Sequence, residues 1–166
     1  MALKQVIDVS GSSAASKVLL DLLNTFPGLG NDRIAFSYLD SKGGIAFWPT
    51  SGAVIISNRE SITGHVRQEC AYPIVIIFRL AAMKESTRLQ VKEFLDLLGS
   101  WISGQSVTIG GDEYKLTEYP DLGGNRKIRN ISVTNAAHVQ SAYTDGIEDW
   151  AINLQMRYTN EFEKET

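Results

Sequence analysis

The chain is short of the residues from which metal, redox and nucleophilic sites are usually built. It has one cysteine, Cys70, and two histidines, His65 and His138. A single cysteine excludes an intramolecular disulfide and predicts a reducing compartment or a fold that needs no cross-link. No HxxxH pair and no second cysteine surround these residues, so no dense metal-ligand motif exists. Two ordinary polar histidines and a small packed thiol inside a predicted strand account for all three. Long apolar runs are also missing. The longest, Tyr72 to Leu80, is broken by Pro73 and Arg79 and falls far short of a membrane span. Met1 to Val6 lacks the apolar stretch of a signal peptide, which predicts synthesis and folding in the cytoplasm. Positive charge is not in excess. The net charge of −3 gives no overall attraction to nucleic acid or an anionic membrane, although a local basic patch is compatible with it. There is no GxSxG elbow, no CxxC and no GxxxxGK[ST] loop, so the sequence marks no serine nucleophile, redox pair or phosphate cradle.

What is present is a soluble globular composition. Of 166 residues, 43% are apolar and 21% charged, enough chain for one domain with a sizeable core. The clearest element is Trp150 to Thr159. Trp150, Ile152, Leu154, Met156 and Tyr158 alternate with Asn153, Gln155, Arg157 and Thr159. Successive strand side chains point to opposite faces, so this is a strand with one face on a core and one near solvent. A one-residue slip would put five large side chains in water, which pins its register. Asp145-Gly146 is a turn signal that can feed it from a hairpin partner.

The rest of the chain divides into short segments. Val18, Leu19, Leu22, Leu23 and Phe26 recur at helical spacing and predict an amphipathic helix over 13–25, stopped by Pro27-Gly28. Packing on the domain's own sheet is the expected use of its apolar face, ahead of a membrane or partner helix. Ile34, Phe36 and Tyr38 alternate, Asp40 to Gly44 reads as a hairpin loop, and Ile45 to Trp48 continues as strand up to Pro49. Ala53 to Ser57 is a short β-branched run, and Asn58 to Gly64 reads as a loop or frayed edge. His65 to Leu80 is the predicted central strand. Its segment Ile74 to Phe78 is apolar on both faces, and Pro73 calls for a bulge or an unpaired position. Val91, Phe94, Leu95, Leu98, Trp101 and Ile102 form one helical stripe, with Thr87-x-x-Gln90 as a capping box and Ser103-Gly104 as the stop. Val107 to Ile109 and Tyr114 to Leu116 suggest a small hairpin. Pro120 to Lys127 is a Gly-rich loop, Ile128 to Thr134 a strand, and Asn135 to Tyr143 fits no periodicity. Residues 161–166 read as a solvated tail of the single domain 1–166. Helices interspersed among runs of strands predict an α+β fold, a mostly antiparallel sheet carrying two main amphipathic helices.

Candidate sites are few. Arg126, Lys127 and Arg129 follow Gly123-Gly124-Asn125 and could touch phosphates, weakly and with strong salt dependence; a solvated or subunit-facing loop is the plainer reading. Asp145, Glu148 and Asp149 stand around a turn, where Asp is favoured for local hydrogen bonding, and mark no acid/base couple. Trp48, Trp101 and Trp150 each fit a core position and also leave room for a subunit-assembly role.

Four stretches in order carry a resemblance over nearly the whole chain: Phe26-Pro-Gly-Leu29, Ala71-Tyr-Pro-Ile-Val-Ile-Ile-Phe78 before a helix with Phe94-Leu-Asp-Leu-Leu-Gly-Ser-Trp101, Tyr119-Pro-Asp-Leu122, and Asp149-Trp-Ala-Ile-Asn-Leu-Gln-Met-Arg-Tyr158. The sequence resembles the minor capsid or tail-terminator-type proteins of long-tailed phages and prophages of Gram-positive bacteria. The resemblance implies a structural virion protein, not an enzyme, with no cofactor, metal or catalytic residue. It implies self-assembly into a ring, typically a hexamer, at the head-proximal end of the tail. The partners would be the tail tube protein, head-tail connector proteins and genomic DNA, which passes through the lumen without sequence reading. Arg126, Lys127, Arg129, Asn153, Gln155 and Arg157 are then the candidate subunit-interface or DNA-lumen contacts. A head-completion role, a small nucleic-acid module and an enzyme with a site assembled from distant residues are the alternatives.

Overall fold

The computed structural model describes residues 6–81 and 84–164. Within them lie two helices, α1 (Val9–Leu23) and α2 (Glu85–Ile102), and eight strands. The strands are β1 (Ile34–Phe36), β2 (Gly44–Pro49), β3 (Val54–Glu60), β4 (His65–Leu80), β5 (Val107–Ile109), β6 (Asp112–Tyr114), β7 (Arg126–Ala142) and β8 (Glu148–Glu163). The main sheet has the order β1-β2-β4-β8-β7, with β3 also on β4, and β5-β6 form a separate hairpin. This is an α+β fold with a mostly antiparallel sheet.

β8 holds the centre. It pairs with β4 from His65↔Glu163 to Leu80↔Glu148 and with β7 on its other side. The expected alternation is realised on the core side, where Ile152, Leu154, Met156 and Tyr158 are each at most 1% exposed; on the other side Arg157 is exposed and Asn153 and Gln155 half-buried, but Thr159 is covered, at 3%. Their face joins Cys70, Tyr72, Ile74 and Ile76 of β4 under both helices, in one apolar cluster with the α1 and α2 stripes. Gly99 lets α2 approach, because a Cβ there would sit 2.7 Å from Ile152 Cδ1 and 3.0 Å from Val133 Cγ2. Phe94 bridges the layers, edge-on to both Phe78 and Phe26.

Pro73 sits where the partner of β4 changes. β2 pairs with Ile74 to Arg79 and β3 with Val66 to Ala71, so the proline faces the gap between them. Its carbonyl is used there, accepting from the Thr50 N–H at 3.0 Å.

Several expectations are corrected. The first helix begins at Val9, because Asp8 caps it by accepting from the Gly11 N–H at 3.0 Å. It ends at Leu23, where the Asn24 side chain exchanges hydrogen bonds with both backbone groups of Ile34. β1 and β2 are not hairpin arms but parallel neighbours, Ile34↔Ile45 to Phe36↔Phe47. The Asp40–Gly43 turn does form, but Ser37 at φ 52 swings the chain away before it, so β2 restarts alongside β1. β3 runs on to Glu60 through polar residues that pair with β4. α2 starts at Glu85 after Lys84, which makes no side-chain cap, and Thr87 lies inside the first turn rather than capping it. The second strand of the small hairpin is Asp112–Tyr114, turned by Gly110 and Gly111 at positive φ. Asn135 to Ala142 belongs to β7, whose four register shifts break the alternation that would have announced a strand. Glu161 to Glu163 are paired strand, not tail, tied to His65 and Arg67. Residues 165–166 lie outside the described residues.

Candidate functional site

With both helices on one face, the other face of the sheet is left without a helix among the described residues. The registers order it into rows. From one end these are Arg59–Arg67–Glu161, Ser57–Glu69–Thr159–Lys127, and Val54–Ala71–Arg157–Asn130. Next come Pro73–Gln155–Ser132 and Trp48–Val75–Asn153–Asn135, then Ala46–Ile77–Ala151. Same-face neighbours are about 6.7 Å apart along a strand and about 4.8 Å across it. The face is therefore graded from a cationic band, through amides and a hydroxyl, to a half-buried apolar patch. Ala46 and Ala151 are buried there although no helix lies above them, and Trp48, Val75 and Ile77 beside them are half-buried.

The structure gathers five of the six candidate residues onto this face. Lys127, Asn153, Gln155 and Arg157 occupy its rows. Arg129, the bulged residue between Ile128 and Asn130, lines an open depression of about 330 Å³ with Arg67, Glu69, Arg157 and Thr159. Arg126 is the correction. It begins β7 rather than lying on a loop, and it turns to the helix side. There its Nε and Nη2 donate to Asp8 Oδ2 and Oδ1 at 3.0 and 2.8 Å. Its guanidinium is therefore committed to a buried carboxylate, and its side chain is 20% exposed. Arg59 and Arg67 were missed. Arg59 sits in a segment whose polarity reads as a loop, and no local signal sets it opposite Arg67.

Asp8 is the most heavily bonded acid in the fold. Burial pushes its carboxyl up, but Arg126, the Tyr158 hydroxyl at 2.7 Å and the Gly11 N–H outweigh that and hold it below its ordinary value. Tyr158 is raised by burial and by Asp8, and burial raises the Cys70 thiol beside it. A thiol that stays protonated under packed side chains is a poor nucleophile. At the opposite end, Arg79 holds Asp149 through two bonds of 2.7 and 2.9 Å, joined by the Tyr143 hydroxyl at 2.8 Å. Burial raises Asp149, and these partners more than reverse it. Asp149 and Glu148, the latter gripped by Arg88, are thus strand residues in ion pairs, while Asp145 alone stays in the turn. His65 bonds Glu163 at 2.8 Å, and His138 Nδ1 lies 2.7 Å from the Ala136 carbonyl. Among the described residues, no group of three or more His, Cys, Asp or Glu is arranged to hold a metal ion. No helix of the described residues is long and apolar enough to cross a membrane.

No protein-family model matches the sequence, and no curated protein does. Solved structures do share the architecture. The chain is similar to a chain of a native gene transfer agent virion particle, with a TM-score of 0.53 at 9% identity, covering 93% of this chain and 100% of that one. At that identity the likeness establishes a common fold. A second solved chain, 17% identical over 92% of this chain and 94% of its own, superposes with a TM-score of only 0.34 and carries no weight.

Proposed function

We propose that the protein is a structural subunit of a phage-like virion, of the tail-terminator type. In this reading it forms a ring, a hexamer as the sequence resemblance implies. The ring sits on the head-proximal end of the tail tube, stops tube growth and meets the head connector. The observation that carries the reading is the fold likeness to a virion-particle chain, which spans 93% of this chain and all of the other. The four sequence stretches named above support it independently. So does a wide sheet face ending in half-buried Trp48, Val75 and Ile77, a surface of the kind a neighbouring subunit can cover. Heterologous contacts of that sort close into a ring when the rotation permits. The same reading assigns no catalytic role, cofactor, metal or membrane contact to the chain.

A head-completion or minor capsid role at the same joint is the second reading, because the similar chain is drawn from a whole virion particle. Native mass spectrometry of the purified protein tests for the ring. Quantifying the protein in purified particles, with antibody labelling under the microscope, tests its place. A hexameric complement at the head-tail joint supports the terminator reading, and label on the capsid body favours the second. Absence from particles together with a strictly monomeric protein overturns both.

A further inference from the structure

We infer that the cationic band on the helix-free face is a contact surface for the phosphodiester backbone of double-stranded DNA. This deepens the ring reading, on which it rests, by stating which face of the subunit turns toward the duplex.

The band is made by pairing, not by sequence proximity. Arg59 comes from β3, Arg67 from β4, Arg157 from β8, and Lys127 and Arg129 from β7. The sheet sets them within three consecutive rows, a patch roughly 14 Å on a side before the long side chains are counted. All five side chains belong to exposed residues. The chain as a whole is acidic, at −3, yet this patch holds five cations against two carboxylates, Glu69 and Glu161. One ion pair crosses it, Arg67 to Glu161 at 3.9 Å, and among the described residues no acid lies within 4.0 Å of the other four cations.

Arg59 and Arg67 are direct cross-strand partners. Like charges in that position disfavour the pairing they sit on, so they do nothing for the sheet that an uncharged pair would not do better. A polyanion over the band removes the repulsion. Four of the five cations are arginines, whose planar fork reaches two phosphate oxygens at once. Gln155 and Ser132 in the adjoining row add neutral donors of the kind that position a backbone. Trp48, Val75 and Ile77 lie at the other end of this face, and Val54, at the β3 edge, is the one apolar side chain larger than alanine in the band's rows. The centre of the band is therefore polar, unlike the desolvated apolar centre of a protein interface. Contacts of this kind go to the backbone, so the binding is independent of sequence.

The test uses the full-length protein and a mixed-sequence DNA duplex, followed by fluorescence anisotropy between about 50 and 200 mM salt. Wild-type protein should bind at the low end and weaken steeply along the series. The double variant R129A/R157A should lose at least tenfold in affinity at about 50 mM salt and flatten the log–log salt slope by about two. R59A/R67A should do the same. K42A/K115A, away from the band, should change neither. All replaced side chains are exposed, so a thermal unfolding midpoint no lower than the wild type's checks that the variants fold. The inference is overturned by any of three results: no binding by the wild type at low salt, equal losses in K42A/K115A, or competition by polyglutamate as effective as by DNA. The last would assign the band to an acidic protein surface. Native mass spectra of the same samples keep the two ideas apart. Rings whose DNA binding ignores the band sink this inference alone, and band-dependent binding by a chain that never assembles sinks the ring reading alone.

Discussion

Asp8 and Arg126 stand 118 positions apart and meet at two points, Nε to Oδ2 at 3.0 Å and Nη2 to Oδ1 at 2.8 Å. Through this pair the start of α1 is bolted to the start of β7, across the Tyr158 ring that presents its hydroxyl to the same carboxylate.

Breaking the pair from one side leaves an uncompensated buried charge. Arg126→Ala should lower the free energy of unfolding by about 3 kcal/mol. Asp8→Ala should cost at least as much, because it also removes the α1 cap, worth about 1 kcal/mol. Urea unfolding followed by tryptophan fluorescence measures both. A loss below about 1 kcal/mol, the range of exposed pairs, would show the Asp8–Arg126 bond to be incidental.

Acid should act through the same carboxylate and through Asp149. Both titrate below their ordinary 3.8 in the folded chain, burial being outweighed by Arg126 with Tyr158 in one case and by Arg79 with Tyr143 in the other. The unfolded chain therefore binds protons first as the pH falls. Stability should be whole above about pH 5 and decline as the pH drops through 3.8 toward the folded values. The double variant D8N/D149N should start less stable and show a shallower acid decline. His65 has the opposite sign. Its hydrogen bond to the Glu163 carboxylate raises it above 6.5, so its contribution is whole below 6.5 and fades as the pH rises through the raised value. H65Q should remove that alkaline decline and leave the acid limb alone.

Gly99 is a point of close approach between α2 and the sheet. Gly99→Leu should destabilise the fold by about 3 kcal/mol through overpacking against Ile152 and Val133. Gly99→Ala should cost far less, since Ile152 Cδ1 can swing aside and alanine favours the helix by about 1 kcal/mol. Thermal unfolding of the two variants side by side checks the order.

A chain ending at Glu148 should not fold. β8 is the shared partner of β4 and β7, so its loss orphans both ladders and takes Ile152, Leu154, Met156 and Tyr158 out of the core. Near-UV circular dichroism should lose its tertiary signal and the urea transition its cooperativity. A truncated chain that kept both would show the remaining strands to be self-sufficient.

Much of this architecture was legible in local pattern. The alternation of Trp150 to Tyr158, the α2 stripe from Val91 to Ile102, and the Asp145-Gly146 turn all appear where the sequence puts them. Each is a property of side chains a few positions apart. The failures share a cause. The second half of β7, Asn135 to Ala142, hides because its bulges shift the period, and the end of β3, Asn58 to Glu60, hides because its polar residues show no contrast. β1 and β2 pair in parallel across a connection in which Ser37 takes a left-handed conformation that no composition announces.

The candidate residues divide the same way. From the sequence, Arg126, Lys127 and Arg129 look like one basic cluster on a loop. Pairing separates them, sending Arg126 under α1 to Asp8 and the other two to the helix-free face beside Arg157, Arg67 and Arg59. By itself, then, the sequence determined the α+β class, the two helices, the central strand with its buried side, and the absence of recognisable catalytic motifs. Only the tertiary structure decided which charges are buried partners and which form one open band. Strand register joins residues a hundred positions apart, and charge acts between neighbours in space.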